Sequence, residues 1–197
     1  MTSPTDSAPT PSAPDGECLA LTRQLRRRGT VVLSLFGLAW ALAGASGTGS
    51  ATDPVPLSIE VVALVVTAAA LRLGFREDAR PSPRTVDLPR NWARGVGLVN
   101  GLELLAVVAV IAASNASGHP ELVPVGIALV VGLHFFPLAR LYDQWQYRWT
   151  AVLLTAVAAV GGVLVLAGLS AESVRVAVGL ACAAVLWTCA CHLAVRG

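Results

Sequence analysis

Six apolar blocks of about 17–23 residues, parted by short polar segments, constrain this chain more than any other feature in it. A helix rises about 1.5 Å per residue, so a block of that length crosses the ~30 Å hydrocarbon core of a bilayer. In lipid every backbone N–H and C=O must be satisfied internally, which the α-helix does within one segment. The expected fold class is therefore all-α: a polytopic membrane helix bundle with spans at about 30–46, 55–74, 95–114, 122–141, 150–169 and 173–194. Composition agrees, since 55% of the 197 residues are hydrophobic and only 13% charged, outside the range of soluble domains.

The polar segments assign an orientation. All fourteen basic residues are arginine, and they alternate along the chain. Arg23, Arg26, Arg27 and Arg28 precede the first block, whereas none stands between the first and second. Arg72, Arg76, Arg80, Arg84, Arg90 and Arg94 lie between or at the ends of the second and third, none between the third and fourth, and Arg140 and Arg148 between the fourth and fifth. Arg175 starts the sixth block and Arg196 follows it. The positive-inside rule then places both termini in the cytoplasm. Trp92, Tyr142, Trp145, Tyr147 and Trp149 fall on the same side, as an interfacial aromatic belt would. Arginine without lysine, amid so much Ala, Val, Leu and Gly, suggests a GC-rich bacterial genome and hence a bacterial cytoplasmic membrane. A net charge of +2 gives no reason to expect a nucleic-acid partner.

Two regions follow from this layout. Residues 1–22, rich in Pro, Ser, Thr and Ala, are expected to form a disordered cytoplasmic tail. Residues 23–197 form the six-helix transmembrane domain. The basic cluster and first block resemble a signal peptide, but the long preceding tail and the five further spans favour a retained helix. Tyr142 to Trp149 reads as a short aromatic linker, and Ser170-Ala171-Glu172 is so tight that the last two spans must form a hairpin. Three antiparallel hairpins are the expected arrangement.

Chemistry can reside only in the few polar residues inside the membrane. Glu103 lies nine residues into the third span, ~13 Å from the inner surface by helix rise, with Asn100 one turn earlier on the same face. His134 lies seven residues before the inner end of the fourth span, ~10 Å deep. Adjacent antiparallel helices thus hold a carboxyl and an imidazole at nearly the same depth, a pair able to exchange a proton near neutral pH. Pro137 lacks an N–H and frees the Leu133 carbonyl beside His134, which suits a cavity wall. Asn100, Glu103, His134 and Pro137 are the candidate intramembrane polar site. The competing reading is an interhelical hydrogen-bond clamp worth about 0.5–2 kcal/mol per contact. Gly97, Gly101 and Gly37 offer close-packing surfaces for a homodimer or another membrane partner.

No catalytic site is expected. The chain carries no G-x-x-x-x-G-K-[ST], H-E-x-x-H or G-x-S-x-G signature. Cys189-Ala190-Cys191-His192 looks like a metal cluster, yet residues i and i+2 on a helix diverge, so neither a metal site nor a cofactor is expected. Three of the four cysteines lie in the last apolar block, where a thiol acts as a small hydrophobe.

The stretch Gly132-Leu133-His134-Phe135-Phe136-Pro137-Leu138-Ala139, with Trp92, Asn100 and Glu103 before it, resembles a motif of an uncharacterised family of small bacterial membrane proteins with about six helices. The resemblance covers about residues 90–165. It implies a shared helical fold and no particular activity. Two expectations of function remain: a bundle that moves a small solute or protons through Glu103 and His134, or an accessory protein that binds a partner in the bilayer and uses the same residues as a clamp.

Overall fold

The computed structural model describes residues 13–50, 53–76 and 90–196. They form six helices, α1 (Ala13–Ala45), α2 (Pro54–Phe75), α3 (Trp92–Ala116), α4 (Leu122–Leu141), α5 (Trp145–Leu166) and α6 (Ala171–Arg196). There is no strand among the described residues, so the fold is all-α. All six helices contain a stretch long and apolar enough to cross a membrane.

Two boundaries differ from expectation. Residues 13–22, placed above in the disordered tail, are the first turns of α1. Glu17, Leu19, Ala20 and Leu21 have high helix propensity, and Pro14 stands in the first turn where its missing N–H costs nothing. The rest of that tail, residues 1–12, lies outside the described residues. The aromatic linker is likewise shorter than expected, because Trp145 to Trp149 open α5. At the other end of α5, Gly168 at φ +78° stops the helix, with Leu169 N–H donating to Leu164 C=O and Gly168 N–H to Val165 C=O. Gly118 ends α3 in the same way at φ +74°. Asp143 does so for α4 at φ +47°, a left-handed conformation that glycine adopts more readily.

The helices pack around α6, which touches α1, α2, α4 and α5. One face of α6, Val174, Val178, Cys182, Leu186, Ala190 and Ala194, is completely buried at i, i+4 spacing. Its contact with α1 is the most extensive in the molecule. Glycines bring the two backbones together: a Cβ on Gly179 would lie 2.7 Å from the Gly44 Cα, and one on Gly47 2.7 Å from the Glu172 carbonyl. Gly29 meets Leu193 near the opposite end of both helices, so α1 and α6 run antiparallel. A Cβ on Gly37 would lie 2.8 Å from the Trp187 indole, whose Nε1–H donates to Thr67 Oγ1 of α2 at 3.1 Å. Gly37 therefore serves packing within the chain and is not available as a dimer surface. At Gly37 the closely packed neighbour is Trp187 of the same chain.

Consecutive helices also pack, α1 on α2, α3 on α4 and α5 on α6, in agreement with three hairpins. Gly132 of α4 brings that helix against the backbone of Thr155 in α5. The exception to the compact arrangement is α3. It touches α4 alone, and none of its most apolar stretch is buried. Gly97 and Gly101 on α3 face open space.

Candidate functional site

The solitary position of α3 leaves a cleft. α1 and α3 make no backbone contact, and between them, over the surface of α4, lies a cavity of about 390 Å³. Arg28, Val32 and Phe36 line it from α1, Trp92, Val96, Asn100 and Glu103 from α3, and Val131, His134, Phe135 and Leu138 from α4. Tyr142, Tyr147 and Leu186 complete the walls. One end of it, here called its mouth, is lined by Arg28, Trp92 and Tyr142, at the end of the bundle that carries every described arginine except Arg175. Its deep end is near the middle of α3.

Glu103 and His134 occupy that deep end. Their side chains meet with His134 Nε2 3.3 Å from Glu103 Oε2, and they are 12% and 18% exposed for histidine and glutamate respectively. His134 Nδ1 makes a longer contact, 3.4 Å, to the Val131 carbonyl one turn back on its own helix. A carbonyl only accepts, so the contact requires the proton on Nδ1. The Glu103–His134 link then contains one proton. It belongs to an imidazolium facing a carboxylate, or to a carboxylic acid donating to a neutral imidazole. Moving it between the two converts a charged pair to a neutral one without moving a heavy atom.

A chain of aromatic rings connects this pair to the mouth. His134 stands edge-on to Phe135 with centroids 5.0 Å apart, Phe135 meets Tyr147 at 5.7 Å, Tyr147 meets Tyr142 at 5.6 Å, and Tyr142 meets Trp92 at 5.4 Å. Edge-to-face contacts of this kind hold rings in place beyond what area alone provides. Trp92, Tyr142 and Tyr147 were expected in an interfacial belt. Tyr147 is instead buried in the bundle, and the other two face the cleft, whereas Trp145 and Trp149 point outward. Burial pushes the Tyr142 phenol up from its ordinary value, with nearby Arg28 acting the other way. The Trp92 Nε1–H is buried with no hydrogen-bond partner among the described residues.

The four expected site residues do not all converge. Glu103 and His134 are paired, and Asn100 lines the cleft one turn nearer its mouth. Pro137 does not contribute: it interrupts α4 but is exposed and lines no part of the cleft. The cleft-facing row of α4 is Val131, Phe135 and Leu138, with His134 at its edge. At about 100° per residue, Pro137 lies roughly 60° beyond His134 and away from that row. The remaining hydrophilic contact of note is remote. At the turn between α3 and α4, His119 Nδ1 lies 2.9 Å from Glu121 Oε1, and the Glu121 carboxyl is held below its usual value by a backbone hydrogen bond and by His119.

Residues 95–196, which include nearly all of α3 and the whole of α4, α5 and α6, match a family of unknown function, DUF7010. Asn100, Glu103 and His134 fall within the match, while α1 and the Arg28 wall of the cleft fall outside it. No curated protein and no solved structure matches the chain.

Proposed function

The chain belongs to the DUF7010 family of unknown function, and on that premise we propose that it is a small transporter-like bundle that carries protons, alone or with a small solute. The observation behind this reading is the Glu103–His134 pair lining a cleft that reaches towards the arginine-rich end at Arg28. Ionisable groups are rare within apolar spans and are concentrated on ion and proton pathways. A pair that holds one proton in either of two places is a relay station, and the cleft that it lines is the route proposed to reach it. The arginine alternation supports, by the positive-inside rule, a cytoplasmic location for the arginine-rich end and both termini, and the membrane proposed is a bacterial plasma membrane. The proposal involves no enzymatic step, metal or cofactor.

Proton flux into liposomes carrying the purified chain, read by an entrapped pH-sensitive dye, tests it. Glu103→Gln retains a hydrogen bond to the imidazole but cannot exchange its proton. It should lower flux to the rate of empty liposomes while leaving the melting temperature in detergent nearly unchanged. Equal flux from wild type and Glu103→Gln would refute the relay.

A second reading has its own support. An accessory role, with a partner helix or a second copy docked on α3, is favoured by the open space around Gly97 and Gly101. In that case Glu103 and His134 act as the clamp that fixes α3 to α4.

A further inference from the structure

The cleft adjoins a second space that the proton reading does not use. Arg23, Arg27, Arg28 and Phe75 line a crevice of about 520 Å³ at the arginine-rich end, between α1 and the last turn of α2. Arg28 and Val32 line both spaces, so the basic crevice and the apolar cleft adjoin along that row of α1. No carboxylate lines the crevice among the described residues, and the only one lining the cleft is Glu103 at its far end. The Arg27 guanidinium rests 5.7 Å over the Phe75 ring, and its Nε is buried with no hydrogen-bond partner among the described residues. The cleft also opens sideways. α1 and α3 do not touch, and Val32 and Phe36 on its α1 wall are half exposed to the surroundings of the bundle, which for these spans is lipid.

We infer that these two adjoining spaces together bind one anionic phospholipid, with its phosphate on Arg23, Arg27 and Arg28 and one acyl chain passing over the Arg28–Val32 row to lie between α1 and α3 along Val32 and Phe36. Arginine forks match phosphate oxygens, and basic pockets at helix ends are the usual seats of acidic headgroups. The eight residues from Arg28 to Phe36 rise ~12 Å, close to the depth of one leaflet's share of a ~30 Å hydrocarbon core. A water-soluble phosphate would use the crevice and leave the cleft empty, whereas a lipid fills both and enters from the side. The bound chain would lie across the route to Glu103 and His134, making lipid type a regulator of that route. The inference is independent of proton transfer, since it involves α1 and not the acid–imidazole pair.

The test titrates the full chain in detergent with dioleoylphosphatidylglycerol, dioleoylphosphatidylcholine or inorganic phosphate and reads bound lipid by native mass spectrometry and melting temperature. Phosphatidylglycerol should bind most tightly and raise the melting temperature. Each arginine near an anionic surface contributes roughly fivefold, so replacing Arg23, Arg27 and Arg28 by Gln should weaken binding about a hundredfold. Because those changes also alter the topogenic charge, Val32→Trp provides a second arm: it retains every arginine, obstructs the acyl slot and should weaken binding about tenfold. Equal binding of phosphatidylcholine would overturn the inference as general lipid adhesion. Equal stabilisation by inorganic phosphate would reassign the crevice to a soluble anion. Undiminished binding to Val32→Trp would show that the chain does not enter the cleft.

Discussion

The two flanks of this bundle are built on opposite terms. On one side α1, α2 and α6 are drawn together by glycine at Gly37, Gly44, Gly47, Gly74 and Gly179, and a hydrogen bond from Trp187 to Thr67 ties α6 to α2. On the other, α3 leans on α4 alone and faces a cleft instead of a third helix. Lipid tails are as apolar as leucine, so close packing rather than water exclusion holds the first flank together. The second flank has given up that packing, and what it has in exchange is a cavity with a carboxyl and an imidazole in it. Stability and chemistry are thus divided between different helices, and α4 belongs to both.

The largest effect that would test this division is a pair of glycine substitutions. Gly179→Val places a side chain against the backbone of Gly44 and should cost about 3 kcal/mol, seen as loss of monodisperse protein and a lower melting temperature in detergent. Gly101→Val meets nothing within 4 Å in the chain and should stay within about 0.5 kcal/mol of wild type. If the two were equally harmful, α3 would have a packing partner outside the chain and the contrast would fail.

A smaller pair compares the polar contacts. Trp187→Phe removes the N–H donated to Thr67 inside the packed flank and should cost about 1 kcal/mol. Glu103→Gln should cost less than half of that, because its amide still reaches His134 and the cleft has room for adjustment. The reverse order, measured as unfolding of α3 by hydrogen exchange, would make the acid–imidazole pair the principal clamp of the open flank.

The smallest expected change lies on the seam, where α4 passes to α5. Asp143 occupies a left-handed position that glycine takes without steric penalty, so Asp143→Gly should raise stability by about 0.5 kcal/mol. No gain would mean that the Asp143 side chain stabilises the turn through a contact of its own.

What the sequence made legible follows the same division. Helix number and class were readable because span length and arginine alternation run along one dimension, and so was the meeting of Glu103 with His134, which depth along two antiparallel helices specifies. Which way each helix faces was not readable. An amphipathic helix announces its buried side by its pattern, but α3 and α4 are apolar nearly all round, so that signal vanishes. Pro137 therefore looked like a neighbour of the site although it points away, Gly37 looked free although Trp187 covers it, and Tyr147 looked interfacial although it is enclosed. Residues 13–22 were misread for another reason: composition signals a tail, whereas local helix propensity continues α1 through it.

The most extensively packed pair of helices, α1 and α6, are the first and last of the six described helices to be synthesised. About 150 residues separate the end of one from the end of the other, roughly ten to thirty seconds of synthesis at ordinary rates. Throughout that interval the glycine seam of α1 has no α6 to meet, and of the described helices it has only α2 to hold. The α1–α6 seam therefore forms only when the last of the six helices arrives. A nascent chain that stalled before α6 would leave the membrane insertion machinery with a helix whose proper companion does not yet exist, a natural point for quality control to intervene.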